Sequence, residues 1–319
     1  MRSFGSALVT GATGFIGSAL VSRLAAEQVK VTCLVRRKRA SLAFDQLPNV
    51  RVIEVPSFQT PRLKAELANV TAEVVFNLAS YGVQPEDRDP GELIAGNVGL
   101  VTHLLEAVAN WPLLKFIHTG SCSEYGLPGS EGLPIAESQP LRPLSLYGAA
   151  KAASVLFGSA YASQLSIPFV TLRLFGVFGT REAPRRLVPY IIDRLENHEG
   201  ADLTPGEQVR DLLFEDDVVQ AFLVAAEAEL GLYEAYNICS SRPTRLRELG
   251  EMVADILQRP RELLQWGKRT YRSDEPMWLV GDNRRFVSAT SWQPTLGLED
   301  GIRCVVSKRR QTRERQHAI

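Results

Sequence analysis

Apolar residues along the first part of the chain fall into short runs separated by stretches of helical spacing. The runs are Ala7 to Val9, "VKVTCLV" (29–35), "VRVIEV" (50–55), "AEVVFNLAS" (72–80), "LLKFIHTGS" (113–121) and "IPFVTLRLFGVFG" (167–179), and each reads as a buried strand. Helical spacing without a breaker covers Phe15 to Leu24, 97–109 and 146–164. Strands alternating with helices predict an α/β fold, a doubly wound parallel sheet covered on both faces, with its ligand at the carboxyl ends of the strands. From Arg181 the pattern changes. Loops rich in Pro, Gly and charge (181–186, 198–210, 267–285) enclose "DLLFEDDVVQAFLVAAEAEL" and "YEAYNICS", which read as a helix entry and a strand returning to the main sheet. A second, smaller domain is therefore expected to interleave with the first. The terminal "SKRRQTRERQHAI" (307–319) is polar and basic and reads as a solvated tail.

The turn between the first strand and helix carries Gly11, Gly14 and Gly17. Without Cβ atoms the chain turns tightly there, and a ligand's phosphates can reach main-chain N–H groups at the helix N-terminus. Composition narrows the ligand. The 319 residues carry no formal net charge, so electrostatics recommends neither nucleic acid nor an anionic membrane as partner. The 45% apolar content supports a sizeable core. No run resembles a membrane span or a signal peptide, and a cytoplasmic location with a small soluble ligand is the expectation. Cys33, Cys122, Cys239 and Cys304 match no metal-ligand spacing, so no metal site is expected and the thiols are read as reduced. His103, His118 and His198 read as core packing or solvent-exposed residues.

Catalytic chemistry gathers at Ser121, at the end of the fifth strand, and at Tyr147 and Lys151 in "LYGAAKAAS". Positions i and i+4 share a helix face, so the phenol and the ammonium lie side by side. Lys⁺ favours phenolate and is expected to depress the tyrosine pKa, while the serine hydroxyl bonds the same substrate oxygen. Such a set moves a proton as an alcohol and a ketone interconvert beside a nicotinamide ring.

At this point the chain resembles the extended short-chain dehydrogenase/reductases that act as nucleotide-sugar epimerases, dehydratases and ketoreductases. "TGATGFIG", "FNLAS", "NVGLVTHLLEA", "TGSCSEYG", "LYGAAK", "GEQVRDLLFEDDVVQAF", "YNICSSRPTRLREL", "YRSDEP" and "SWQPTLGLEDGI" carry the likeness over nearly the whole length. The resemblance implies a Rossmann-type cofactor domain over 1–180 plus about 211–240, and a substrate domain over about 181–210 plus 241–306. It implies a dinucleotide held by Gly11, Thr13, Gly14, Phe15, Ile16, Gly17, Leu78, Ala79, Asn97, Tyr147 and Lys151. A nucleotide-diphosphate sugar would border Cys122, Ser123, Arg181 and Val188, with Arg210 and Arg272 on the diphosphate. Helices 97–109 and 146–164 hold more apolar residues than one sheet face requires, and in related enzymes the corresponding pair builds a dimer.

Five departures shape the expected activity. Val35 stands where an NAD-binding member places an acid for the adenosine ribose, and Arg36, Arg37, Lys38 and Arg39 follow, which favours NADP(H) over NAD(H). Pro56 replaces the aspartate that meets the adenine. Cys122 and Ser123 replace the acidic pair of dehydratases, and Glu124, one step late on an extended segment, should face away. Arg181 stands where a bifunctional 3,5-epimerase/reductase carries histidine, and Gly176 where many relatives carry a diphosphate-binding asparagine. The expected reaction is reduction of a nucleotide-linked 4-keto-6-deoxyhexose, with 4-epimerisation as the alternative; 3,5-epimerisation, dehydration and a non-catalytic dinucleotide sensor are less favoured.

Overall fold

The structure, a computed structural model, describes residues 3–37, 44, 46–83, 86–126, 132–272 and 274–317. Lys38 and Arg39 of the basic loop lie outside the described residues.

Seven strands build the main sheet: β1 (Ser6–Thr10), β2 (Lys30–Val35), β3 (Val50–Glu54), β4 (Val74–Asn77), β5 (Lys115–Ser121), β6 (Phe169–Leu174) and, much later in the chain, β10 (Ala235–Ile238). They run in the order β10-β6-β5-β4-β1-β2-β3, and every pairing is parallel. From β1 the chain winds outward through β2 to β3, then crosses back to β4 on the other flank. The carboxyl ends of β1 and β4 therefore diverge into a crevice, the topological switch point of an open α/β sheet. The interior strands are buried on both faces, which is why they read as unbroken apolar runs rather than alternating ones.

One face of the sheet is covered by α1 (Phe15–Ala26) and α7 (Glu215–Glu227), whose Leu20, Leu24 and Phe222 join Phe76 in a core with almost no exposed surface. The other is covered by α2 (Thr60–Glu66), α4 (Leu100–Val108) and α5 (Leu146–Gln164). There Phe116 stacks on Phe169 with centroids 5.3 Å apart. Between α3 (Pro90–Ile94) and α4 the helix makes one π-helical turn over Ala95–Gly99.

The run 167–179, read as one strand, splits at Phe175. β6 stays in the main sheet, while β7 (Gly176–Phe178) pairs with β9 (Val209–Phe214) in a second sheet that also holds β11 (Pro243–Arg245) and β13 (Trp278–Leu279). Gly176 explains the change. A Cβ there would lie 2.5 Å from the Asp211 carbonyl oxygen, so only glycine lets the two backbones pair at that point. Around this sheet, α6 (Leu187–Glu196), α8 (Leu246–Leu257) and α10 (Leu298–His317) enclose a separate core, and β8 (Ala201–Asp202) with β12 (Leu264–Gln265) forms a two-stranded ribbon. The remaining helix, α9 (Arg284–Thr290), packs on β10 through Phe286 and Tyr236.

The basic C-terminal stretch is helical, with Ser307, Lys308 and Arg310 to Thr312 exposed. It continues α10 to His317, and Arg309 and Arg310 pair with Asp193 and Glu196 of α6. Among the described residues no helix is long and apolar enough to cross a membrane.

Candidate functional site

At the switch point the first turn after β1 is closed by backbone alone. Gly11 has φ +69°, and a Cβ on it would meet the Ala79 nitrogen and Leu78 carbonyl carbon at 2.7 Å. A Cβ on Gly17 would lie 2.1 Å from the Gly11 carbonyl oxygen, and one on Gly14 at 3.1 Å from the same atom. These glycines bring β1, the end of β4 and the start of α1 into direct main-chain contact. Gly14 caps α1 without any side-chain hydrogen bond, which leaves the helix N-terminus to a ligand's anionic group. Thr13 is exposed at this opening, and Phe15 and Ile16 are half-buried beside it. A cradle that a Cβ would fill, facing free helix N–H groups, fits a dinucleotide's diphosphate.

The catalytic set expected from sequence assembles next to this turn. Ser121 ends β5 and begins a tight turn over Cys122–Glu124, in which its Oγ accepts from the Ser123 N–H at 3.2 Å. Tyr147 opens α5, and the absence of a side chain at Gly148 lets that helix press onto the Ser123 carbonyl, 2.4 Å from where a Cβ would be. Gly82, after β4, lies against the other side of the Tyr147 ring. The Lys151 Nζ donates to the Thr119 carbonyl at 2.5 Å, and Lys151 is 2% exposed.

Protonation here differs from the sequence expectation. Loss of water pushes the Tyr147 phenol up to about 12, against the opposing Ser121 hydrogen bond; Cys122 and Glu124 push it further up and Arg186 pulls it down. Desolvation lowers Lys151 to about 8, opposed by Glu124. The ammonium is turned toward Thr119 and is not among the groups that shift the phenol. Tyr147 thus holds its proton at neutral pH, the state required of a proton donor. Burial also raises the Cys122 thiol to about 12, against the pull of Arg210, which leaves it unsuited to acid–base work near neutrality.

Asn97 sits in the π-helical turn, 2% exposed, and donates to the Tyr81 carbonyl at 2.9 Å and the Leu93 carbonyl at 2.8 Å. Its Oδ1 and the Thr119 Oγ1 are buried without a hydrogen-bond partner. Both residues touch the neighbourhood of α5, the π-turn by packing on that helix and Thr119 through its bond from Lys151, and two such orphans there suit a polar guest.

On the substrate side the picture is mixed. Arg210 on β9 and Arg272 both bond Glu275, Arg272 Nε at 3.0 Å from Oε2 and Arg210 through Oε1, so one carboxylate holds two guanidinium groups together. Arg181 lies 3.6 Å from the buried Glu215 carboxylate. Val188, expected to border the substrate, is instead 3% exposed in the small core with Phe178 and Ile191, because α6 turns that face inward. Arg36 and Arg37 are exposed at the end of β2, and Pro56 is exposed after β3.

Sequence reasoning missed the support behind Ser121. Glu124 does not face away: the turn carries it inward, fully buried, where Oε1 accepts from the Ser121 N–H at 2.7 Å and Oε2 from Arg173 Nε at 2.7 Å. Arg173 also donates to Tyr125, whose hydroxyl donates to Asn237 at 2.7 Å. Two signals were available. "SCSE" is the spacing of a capping box, and an arginine inside the apolar strand "FVTLRL" demands a buried partner.

Comparison with known proteins agrees with this geometry. The profile of the NAD dependent epimerase/dehydratase family matches residues 7–239. The chain is 30% identical over 320 residues to the UDP-glucose 4-epimerase of Mycolicibacterium smegmatis, covering 92% of this chain and 95% of that protein. It is 26% identical over 275 residues to the CDP-abequose synthase of Yersinia pseudotuberculosis, covering 85% and 90%. Among solved structures, the UDP-glucose 4-epimerase of Thermotoga maritima with UDP-glucose matches with a TM-score of 0.86 at 26% identity, covering 96% and 99%. MoeE5 in complex with UDP-glucuronic acid and NAD matches at 0.84 and 26%, covering 97% and 100%. With its glycine cradle, its Ser, Tyr and Lys set and a profile match over most of its length, the chain belongs to the NAD-dependent epimerase/dehydratase family.

Proposed function

We propose that the chain is an NAD(P)-dependent oxidoreductase of nucleotide-diphosphate sugars, a 4-ketoreductase acting on a 4-keto-6-deoxyhexose. The observation that carries this reading is the placing of Tyr147, Ser121 and Lys151 together at the strand ends beside the glycine cradle. A bound nicotinamide cofactor supplies the hydride. Tyr147 gives its proton to the sugar oxygen, Ser121 hydrogen-bonds the same oxygen, and Lys151 holds the nicotinamide ribose. Cys122 and Ser123 offer no acid for dehydration, and the raised Cys122 thiol speaks against proton exchange by cysteine at the neighbouring carbon. Arg210 and Arg272, already gathered on one carboxylate, suit the two phosphates of a nucleotide diphosphate.

NADP(H) is the favoured cofactor. No acid ends β2, and Arg36 lies close enough to the β4 loop to pull on the Tyr81 phenol, which desolvation raises. The solved MoeE5 relative holds NAD, so the preference rests on this loop alone. A second reading, 4-epimerisation, is favoured by the 30% identity to a UDP-glucose 4-epimerase. The assembly is proposed to be a homodimer through α5, whose Leu156 and Phe157 are 62% and 52% exposed on one face. The apolar residues of α4 face the chain's own core, and Ile94 of α3 is exposed as well.

The deciding experiment offers purified protein nucleotide-linked 4-keto-6-deoxysugars and, separately, nucleotide hexoses, with NADPH or NADH, and follows both nicotinamide absorbance and the sugar formed. Net loss of absorbance supports the reductase. Interconversion of nucleotide hexoses without net change in absorbance would replace it with the epimerase.

A further inference from the structure

Beneath the cofactor turn a single file of hydrogen bonds crosses β1, β4 and β5 and ends on the catalytic helix. The Ala79 N–H donates to the Thr10 Oγ1 at 3.1 Å, and that hydroxyl donates to the Asn77 Oδ1 at 2.6 Å. The Asn77 Nδ2 meets the His118 Nδ1 at 3.0 Å, and the His118 Nε2 meets the Ser154 Oγ at 3.1 Å. Ser154 donates to the Lys151 carbonyl at 2.8 Å. None of the four linking side chains is more than 1% exposed.

The file has one self-consistent direction. Thr10 has one proton and gives it to the Asn77 oxygen, so the Asn77 amide must donate to His118. The ring then accepts at Nδ1 and carries its proton at Nε2, which it gives to Ser154, leaving the serine proton for the Lys151 carbonyl. A charged ring would place its Nδ1–H against the Asn77 amide hydrogens and break the sequence. Burial and the nearby Lys151 charge keep the ring neutral, and it stacks on Phe169 with centroids 5.7 Å apart.

An apolar side chain would fill the space between Asn77 and Ser154 as well as imidazole does. A polar one specifies where α5 sits along its axis, because a shift of the helix breaks the Ser154 bond at one end of Lys151 and the Thr119 bond at the other. We propose that His118 is a positioning residue that fixes Lys151 relative to the cofactor cradle, linking the turn at Ala79 to the residue that holds the nicotinamide ribose. The proposal rests on the cofactor reading above.

The test uses the full-length protein and reads cofactor affinity by nicotinamide fluorescence, with whichever of NADH and NADPH the parent binds. His118→Phe and Ser154→Ala should each weaken binding about fivefold or more, the scale of one lost buried hydrogen bond. In a Lys151→Ala background His118→Phe should change affinity less than about twofold, because nothing remains to be positioned. Affinity of His118→Phe equal to the parent's, or the same loss in both backgrounds, overturns the proposal. Should His118→Phe fail to fold, Ser154→Ala, a small change inside a helix, decides by the same comparison. Two-bond ¹⁵N–¹H correlation of the parent should show a neutral, Nε2-protonated His118 between about pH 5 and 8, and an Nδ1-protonated or charged ring at pH 6 also overturns it. A parent that binds neither nucleotide overturns the cofactor reading and this proposal together, whereas tight parent binding untouched by His118→Phe overturns this proposal alone.

Discussion

The two sides of the cleft are built from different materials. On the cofactor side, Gly11, Gly14 and Gly17 bring backbone against backbone, and the polar side chains beneath them are buried and uncharged apart from Lys151 and the Glu124–Arg173 pair. On the substrate side, β9 and the segments after β7 and before β13 carry arginines, and Arg181, Arg186, Arg210 and Arg272 each meet a carboxylate. The first arrangement is rigid and cannot absorb an added methyl group. The second is a set of ion pairs that a doubly charged ligand can enter by exchanging partners. A backbone cradle suits a cofactor shared by many relatives, while exchangeable side-chain pairs suit the part of the ligand that differs between them.

The sharpest break in this contrast is chemical. Tyr147→Phe keeps the ring between Gly82 and the Ser121 turn and removes only the proton. Turnover should fall by about 10²–10⁴, with cofactor affinity nearly unchanged. A loss within about threefold, measured by nicotinamide absorbance, would mean that another group gives the proton.

Backbone closure predicts the next largest effect. Gly17→Ala puts a methyl group 2.1 Å from the Gly11 oxygen, and no side-chain rotation relieves it. Cofactor affinity should drop about a hundredfold, in line with the few kcal/mol that strain at a special backbone position costs. Arg210→Ala, on the adaptable side, should instead raise the Michaelis constant for the nucleotide sugar about tenfold and leave cofactor binding intact. If both variants hurt both ligands equally, the two sides are not separable.

The basic loop at the end of β2 tests whether side-chain recognition also reaches the cofactor. Two charge-assisted hydrogen bonds from Arg36 and Arg37 to a 2′-phosphate, discounted for solvent, should separate NADPH from NADH by tens-fold. Replacing Val35 by Asp together with Arg36 by Ala should reverse the ratio of dissociation constants. A parent ratio near one, unchanged by salt, would show that the loop points into solvent.

The same division governs how much was legible in the sequence. The glycine turn, the Tyr147 and Lys151 pair and the alternating elements are local in the chain, and local spacing predicted them. Ion pairs are not local: Glu124 meets Arg173 across 49 residues and Arg210 meets Glu275 across 65, and no spacing rule joins them. Gly176 read as a missing substrate contact because the pairing of β7 with β9 that requires glycine is invisible along the chain. Val188 was misplaced for a related reason, since which face of α6 turns inward depends on β9, α8 and α10. The pairing of Arg309 and Arg310 with Asp193 and Glu196 was not legible either, because those partners lie on α6. His118 was read as packing. Its burial was correctly expected, but its partners on β4 and α5 could be known only from register.

The smallest expected effect concerns stability. Lys151 is a charge taken out of water on the side of the cleft where few neighbours are charged, and its folded-state pKa of about 8 lies below the 10.5 of an exposed lysine. Below about pH 8 both states are protonated, and the folded protein bears the full cost of the buried ammonium. Between about 8 and 10.5 the unfolded chain keeps a proton that the folded one has released, so stability rises with pH across that window. Above it the cost is gone. Lys151→Met should therefore be more stable than the parent at pH 7, by about 3 kcal/mol from the shift less about 1 kcal/mol for the lost bond to the Thr119 carbonyl. Melting temperatures of the two proteins, taken at several pH values from 7 to 10.5, should differ by a few degrees at pH 7, and the gap should close and then reverse slightly as pH rises and only the lost bond remains. A variant less stable than the parent at pH 7, or a gap that widens with pH, would mean that Glu124 compensates the buried ammonium in full and that the lysine site holds no strain.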